Sequence, residues 1–135
     1  MGVNAIFDTN IVIYLQKGLL ARPLPRGEYL LSVISELELR SFHGLDAASQ
    51  SWLNAFLSDI SIVELDERVK QNTVRLRRVH RLRLPDAILA ASALAHQATL
   101  LTNDQRLLAI PGLQSESLEL MHERVAGLDG DGSTL

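Results

Sequence analysis

The sequence predicts an α/β domain built on a central parallel sheet, and three observations carry that prediction. Short apolar runs alternate with longer segments of helical periodicity along most of the chain. Acidic residues stand where helices are expected to begin, at Asp8, Glu38, Asp86 and Asp104, three of them just after a run that reads as a strand. A late segment carries alanines at positions 87, 90, 91, 93 and 95, small side chains that let a helix lie close against a sheet.

Residues 3–7 are a short apolar run followed at once by Asp8, Thr9 and Asn10, all able to cap a helix, and 11–17 reads as that helix. Residues 18–27, with Pro23 and Pro25, read as a loop. Residues 29–34 form the second strand, after which Ser35-Glu36-Leu37-Glu38 opens a helix reaching about Phe42. Asp46 starts another helix, with Trp52, Leu53, Phe56 and Leu57 on one face, and 60–63 is the third strand. Val69, Thr73, Leu76 and Val79 fall at helical spacing, which predicts a long amphipathic helix over 66–81. Pro85 suits the first turn of the alanine-rich helix, which runs from Asp86 to Gln97. Residues 99–101 are the fourth strand, 104–109 a short helix and 113–117 an edge strand. Beyond Leu118 the pattern weakens: 119–125 has helical character and the Gly/Asp-rich stretch 127–133 reads as a disordered tail. One domain over 1–118 with an extension over 119–135 is therefore expected.

The bulk properties are those of a single globular domain: 135 residues, 47% hydrophobic and 21% charged. With no cysteine there is neither a disulfide framework nor a thiolate metal site, so any metal ligands must be oxygen or imidazole. The start of the chain lacks the basic residues and long apolar stretch of a secretory signal, and no apolar run approaches bilayer length, so a cytoplasmic protein without a membrane span is expected. A net charge of −3 argues against a broadly basic surface while leaving room for a local one.

Taken singly, each of the four acids is well explained as a helix cap, since carboxylates there satisfy free amides and favour the positive end of the helix dipole. Ser35-x-x-Glu38 even has the form of a capping box. Taken together they suggest more. In a parallel sheet with helical connections every strand-to-helix junction falls on the carboxyl edge, so acids scattered along the sequence meet in space. Like charges gathered in this way repel and resist desolvation, and a cation relieves both costs. Glu36 and Glu38 lie two apart on a helix and point to different faces, so only one of them belongs in a shared site.

The segments Phe7-Asp8-Thr9-Asn10-Ile11, Ser32-Val33-Ile34-Ser35-Glu36-Leu37-Glu38-Leu39, Leu84-Pro85-Asp86-Ala87-Ile88-Leu89-Ala90 and Leu101-Thr102-Asn103-Asp104 resemble, in order and spacing, the four acidic motifs of PIN-domain nucleases. The resemblance spans about residues 3–117 and is nearest the VapC and FitB toxins of type II toxin–antitoxin pairs. It implies a three-layer α/β/α sandwich with a central parallel sheet. It also implies that Asp8, Glu38, Asp86 and Asp104 hold the metal, with Glu38 rather than Glu36 at the family position, and that Thr9, Asn10 and Thr102 orient the acids or water. Leu107 stands where many relatives carry another acid or a phenylalanine.

The chemistry implied is hydrolysis of RNA phosphodiester bonds with Mg²⁺ or Mn²⁺, hard cations that prefer carboxylate and water oxygens, neutralise phosphate charge and make water nucleophilic. No covalent enzyme intermediate is expected, and the resemblance implies 5′-phosphate and 3′-hydroxyl products. It further implies a small VapB- or FitA-type antitoxin as partner, and a homodimer. Two other readings compete: a partner module of a DNA-binding regulator in which nuclease activity is incidental, and a phosphatase using Asp8 as nucleophile. The basic run Arg75, Arg77, Arg78, His80, Arg81 and Arg83 fits a solvated helix face, an RNA backbone or an acidic partner equally. His43, His80, His96 and His122 show no metal-ligand spacing, and the sequence contains no phosphate loop, zinc-protease or serine-hydrolase motif.

Overall fold

The computed structural model describes residues 2–121. Its elements follow the predicted alternation: β1 (Val3–Phe7), α1 (Thr9–Gln16), β2 (Gly27–Ser32), α2 (Val33–Arg40), α3 (Ala47–Ser58), β3 (Ser61–Val63), α4 (Glu67–His80), α5 (Leu84–Ala95), β4 (Thr99–Leu101), α6 (Gln105–Leu108) and β5 (Ser115–Glu116). The strands form one parallel sheet in the order β3-β2-β1-β4-β5. No helix of the described residues is long and apolar enough to cross a membrane.

Alternating side chains of the strands feed two cores, as the pleat requires. Ile6 and Leu100 point to one face, where Val69 and Leu76 of α4 and the buried alanines of α5 cover them. Ala5, Phe7 and Leu101 point to the other, against Ile11 and Val12 of α1 and Leu53 of α3. Helices on both faces of the sheet make the three layers that were expected. Trp52 and Phe56 join the second core, stacked on each other at 5.1 Å, with Phe56 6.0 Å from Phe7.

Several boundaries differ from the sequence reading for identifiable reasons. Val33 and Ile34 are β-branched and suit a strand, yet Ser32 ends β2 and caps α2, its hydroxyl accepting from the Ile34 N–H. Ser35 therefore lies inside the helix and opens no capping box, and Glu38 sits well along α2 rather than at its start. β2 begins earlier, at Gly27, which pairs with Val3 where the two backbones come so close that a Cβ on Gly27 would stand 2.2 Å from the Val3 carbonyl oxygen. The predicted helix at 119–125 is not seen over its first residues: Leu120 makes an antiparallel bridge with Leu20, and Ala21 N–H donates to the Glu119 carbonyl. The rest of that segment and the predicted tail lie outside the described residues.

Candidate active site

From β1 the chain steps outward through β2 and β3, then crosses back to place β4 and β5 on the opposite side. The strand order thus reverses between β1 and β4, and in such sheets the crevice beyond the carboxyl ends at the reversal is where ligands bind. Asp8 follows β1 directly and Thr102 follows β4 directly, so these two residues wall the crevice. The Asp8 N–H donates to the Leu101 carbonyl at 2.9 Å, carrying the β1–β4 pairing one residue past the last strand pair.

Asp8 occupies the N-cap position of α1 but makes no side-chain capping bond. Its Oδ2 instead accepts from the hydroxyl of fully buried Thr102 at 2.7 Å. Burial raises the Asp8 carboxyl above its ordinary value of 3.8; the Thr102 and Thr9 hydrogen bonds oppose the shift, and the charges of Asp86 and Asp104 add to it. A carboxylate left uncapped, desolvated and facing two others is a poor structural cap and a good cation ligand.

α2 brings Glu38 to the same place. Thr9 Oγ1 lies 2.7 Å from Glu38 Oε1 and 2.9 Å from Ser35 Oγ. An ionised carboxylate only accepts, so the single Thr9 proton goes to Glu38 and Thr9 accepts from Ser35. Glu36 turns away and pairs with Arg40 at 3.0 Å. Asp86, in the first turn of α5, presents Oδ2 3.6 Å from both Arg83 Nε and an Arg106 terminal nitrogen. Asp104 does cap its short helix, Oδ1 accepting from the Arg106 N–H at 2.8 Å, while Oδ2 lies 3.4 Å from the same guanidinium. Burial raises the Asp104 carboxyl, but its bonds and charge contact with Arg106 outweigh this and hold it below its ordinary value.

All four acids line one cavity of about 140 Å³, together with Thr9, Asn10, Ile34, Ser35, Arg83, Pro85 and Leu89. Thr102 stands behind it, holding Asp8 and accepting from the Asp104 N–H at 3.0 Å. So small a volume suits a hydrated cation and a phosphate oxygen better than a whole organic ligand, which takes roughly 300 Å³ or more. Among the described residues no group of three or more His, Asp or Glu side chains is disposed to hold a metal ion as it stands. Arg106 engages both Asp86 and Asp104.

The sequence reading missed the parts played by Arg106, Ser35 and Asn103. Asp104-x-Arg106 looks like any capped helix start, and Ser35 resembled a cap itself. Asn103 ties the loop after β4 to the chain beyond β5 through two bonds with the Leu118 backbone, at 2.8 and 3.0 Å. Leu107, where an additional acid was conceivable, is buried in the core.

Comparisons with known proteins accord with this fold. The family model described as PIN domain matches residues 5–113. Comparison with curated proteins found no match. Among solved structures, the chain is similar to a toxin–antitoxin complex from Klebsiella pneumoniae, at 28% identity and TM-score 0.61, covering 81% of this chain and 94% of that one. It is similar to VapBC-1 from nontypeable Haemophilus influenzae, at 22% identity and TM-score 0.69, covering 84% and 96%. A third likeness is to VapBC-5 from Mycobacterium tuberculosis, at 20% identity and TM-score 0.62, covering 85% and 97%.

Proposed function

The chain belongs to the PIN domain family, and on that premise we propose that it is a Mg²⁺- or Mn²⁺-dependent endoribonuclease, the toxin of a toxin–antitoxin pair. The observation that carries the nuclease reading is the convergence of Asp8, Glu38, Asp86 and Asp104 on one small cavity at the strand-order reversal. Residues 1–118 would be the nuclease unit and 119–135 an extension whose first residues pair against it. The partner side of the reading is supported by solved structures of similar fold, one a toxin–antitoxin complex and one a member of the VapBC family of toxin–antitoxin systems. A VapB- or FitA-type antitoxin, an RNA substrate, a homodimer and a cytoplasmic setting complete it.

The donor set fits a hard divalent cation: it is all oxygen and acidic, and burial, with smaller contributions from the charges of Asp86 and Asp104, raises the Asp8 carboxyl. Asp8, Glu38, Asp86 and Asp104 would hold the ion. When bound, the cation supplies neutralisation of phosphate charge and activation of water at neutral pH. The chain's own work is positioning. Thr102 fixes the Asp8 carboxylate and, through the Asp104 N–H, the start of α6. Thr9, backed by Ser35, fixes Glu38. The Thr9 hydroxyl, held between Glu38 and Ser35, serves to position the acid, so water would be the attacking group and no covalent enzyme intermediate would form.

Incubating the full chain with a panel of RNAs, with Mg²⁺ and with EDTA, tests the reading. Cleavage with Mg²⁺ that is lost in EDTA and in Asp8→Asn is expected. RNA left intact in every condition, or cut equally in EDTA, would overturn it.

A further inference from the structure

Two of the four acids already have a cation in this protein, and it is a side chain. One Arg106 terminal nitrogen lies 3.6 Å from Asp86 Oδ2 and 3.4 Å from Asp104 Oδ2, so a single guanidinium bridges carboxylates carried by α5 and by the start of α6. The second Asp104 oxygen is taken by the Arg106 backbone N–H. Arg83 reaches Asp86 Oδ2 at 3.6 Å but makes no such bridge. The Arg106 side chain is 62% exposed, so it can leave this place without disturbing the core.

Resting on the proposed cation centre, we infer that Arg106 is a built-in, displaceable counter-ion, a positioning residue that holds Asp86 and Asp104 together in the metal-free protein and yields their Oδ2 atoms to the incoming metal. Without a positive group between them the two carboxylates repel, and both are near enough to Asp8 to raise its carboxyl. A divalent ion and a guanidinium facing the same oxygens also repel, so each weakens the other's contacts. Cation binding therefore competes with Arg106. Exposed ion pairs are weak, which keeps the competition mild and reversible.

The test is calorimetric titration of metal-stripped full-length protein with Mn²⁺, comparing wild type, Arg106→Gln, Arg106→Ala, Arg106→Lys and Arg83→Gln, with thermal melts to verify folding. Arg106→Gln and Arg106→Ala should each bind Mn²⁺ more tightly, by roughly two- to tenfold as expected for releasing two exposed ion pairs. Arg106→Lys should stay near wild type, and Arg83→Gln should gain less than Arg106→Gln. Mn²⁺ binding that is unchanged or weaker in both neutral Arg106 variants, while wild type binds, would overturn the counter-ion role and leave the cation centre standing. Absence of Mn²⁺ binding in wild type and every variant would overturn the cation centre itself and this role with it.

Discussion

The Thr102 hydroxyl donates to Asp8 Oδ2 at 2.7 Å across 94 residues of sequence, joining the ends of two neighbouring parallel strands. A buried hydroxyl aimed at a partly buried carboxylate fixes which way that carboxylate faces. Thr102→Val keeps the volume and removes the bond. RNA cleavage should fall by roughly 10- to 100-fold, the usual loss when a group orienting a metal ligand is removed. Thr102→Ser should retain most activity. Equal activity in all three proteins would show that Asp8 is held well enough by its backbone alone.

Asp8→Asn should leave the metal-free protein as stable as wild type or more so near pH 7. Asp8 caps nothing with its side chain, and its folded-state carboxyl is raised above 3.8 by burial and by its acidic neighbours. The folded protein therefore holds this proton more tightly than the unfolded chain. Wild-type stability falls as pH rises from about the ordinary value through the raised one, then levels off. The advantage of Asp8→Asn should grow over that window. Melts in EDTA at several pH values measure it, and millimolar Mg²⁺ should raise the wild-type melting temperature more than that of the variant.

Glu36 and Glu38 should separate cleanly. Glu38→Gln alters a side chain that lines the cavity and should cost more than the roughly 10- to 100-fold expected of an outer partner. Glu36→Gln breaks only an i,i+4 pair with Arg40, worth about 0.3–0.5 kcal/mol, and should spare catalysis. Comparable losses in both would place the site differently on α2.

Gly27→Ala should destabilise the domain by about 1–3 kcal/mol, the usual cost of overpacking. The added Cβ would meet the Val3 carbonyl oxygen at 2.2 Å and its nitrogen at 2.4 Å, backbone atoms that cannot rotate away. A lowered urea midpoint with an unchanged slope is the expected signature.

Much of this was legible in the sequence because the strand ends carry their chemistry next to them. Asp8 and Asp104 follow β1 and β4 closely, and β4 itself appears at its predicted bounds of 99–101. The alanines of α5 announced a helix pressed on a sheet, and they are buried. What was hidden depended on partners far apart in sequence or on one bond deciding a boundary. Ser32 rather than Ser35 caps α2 because the backbone turns at Ser32, a choice that the β-branched Val33 and Ile34 obscure. The Thr9–Glu38 contact and the Arg106–Asp86 pair are tertiary, and no local pattern marks them. Predicted helical character at 119 gave way to a bridge with Leu20 for the same reason.

Because β1 lies between β2 and β4, the crevice has no second wall until β4 has been made and docked. The earliest acid, Asp8, is synthesised almost a whole domain ahead of Asp104, and a chain ending before Thr102 has nothing to close against it. On the proposed reading, a product terminated before Thr102 would be inert rather than partly active. At roughly 5–20 residues per second, the delay between the first and last of these acids during translation is on the order of 5–20 s. On the proposed toxin reading, that delay is a grace period in which an antitoxin can engage the growing chain before there is any activity to restrain.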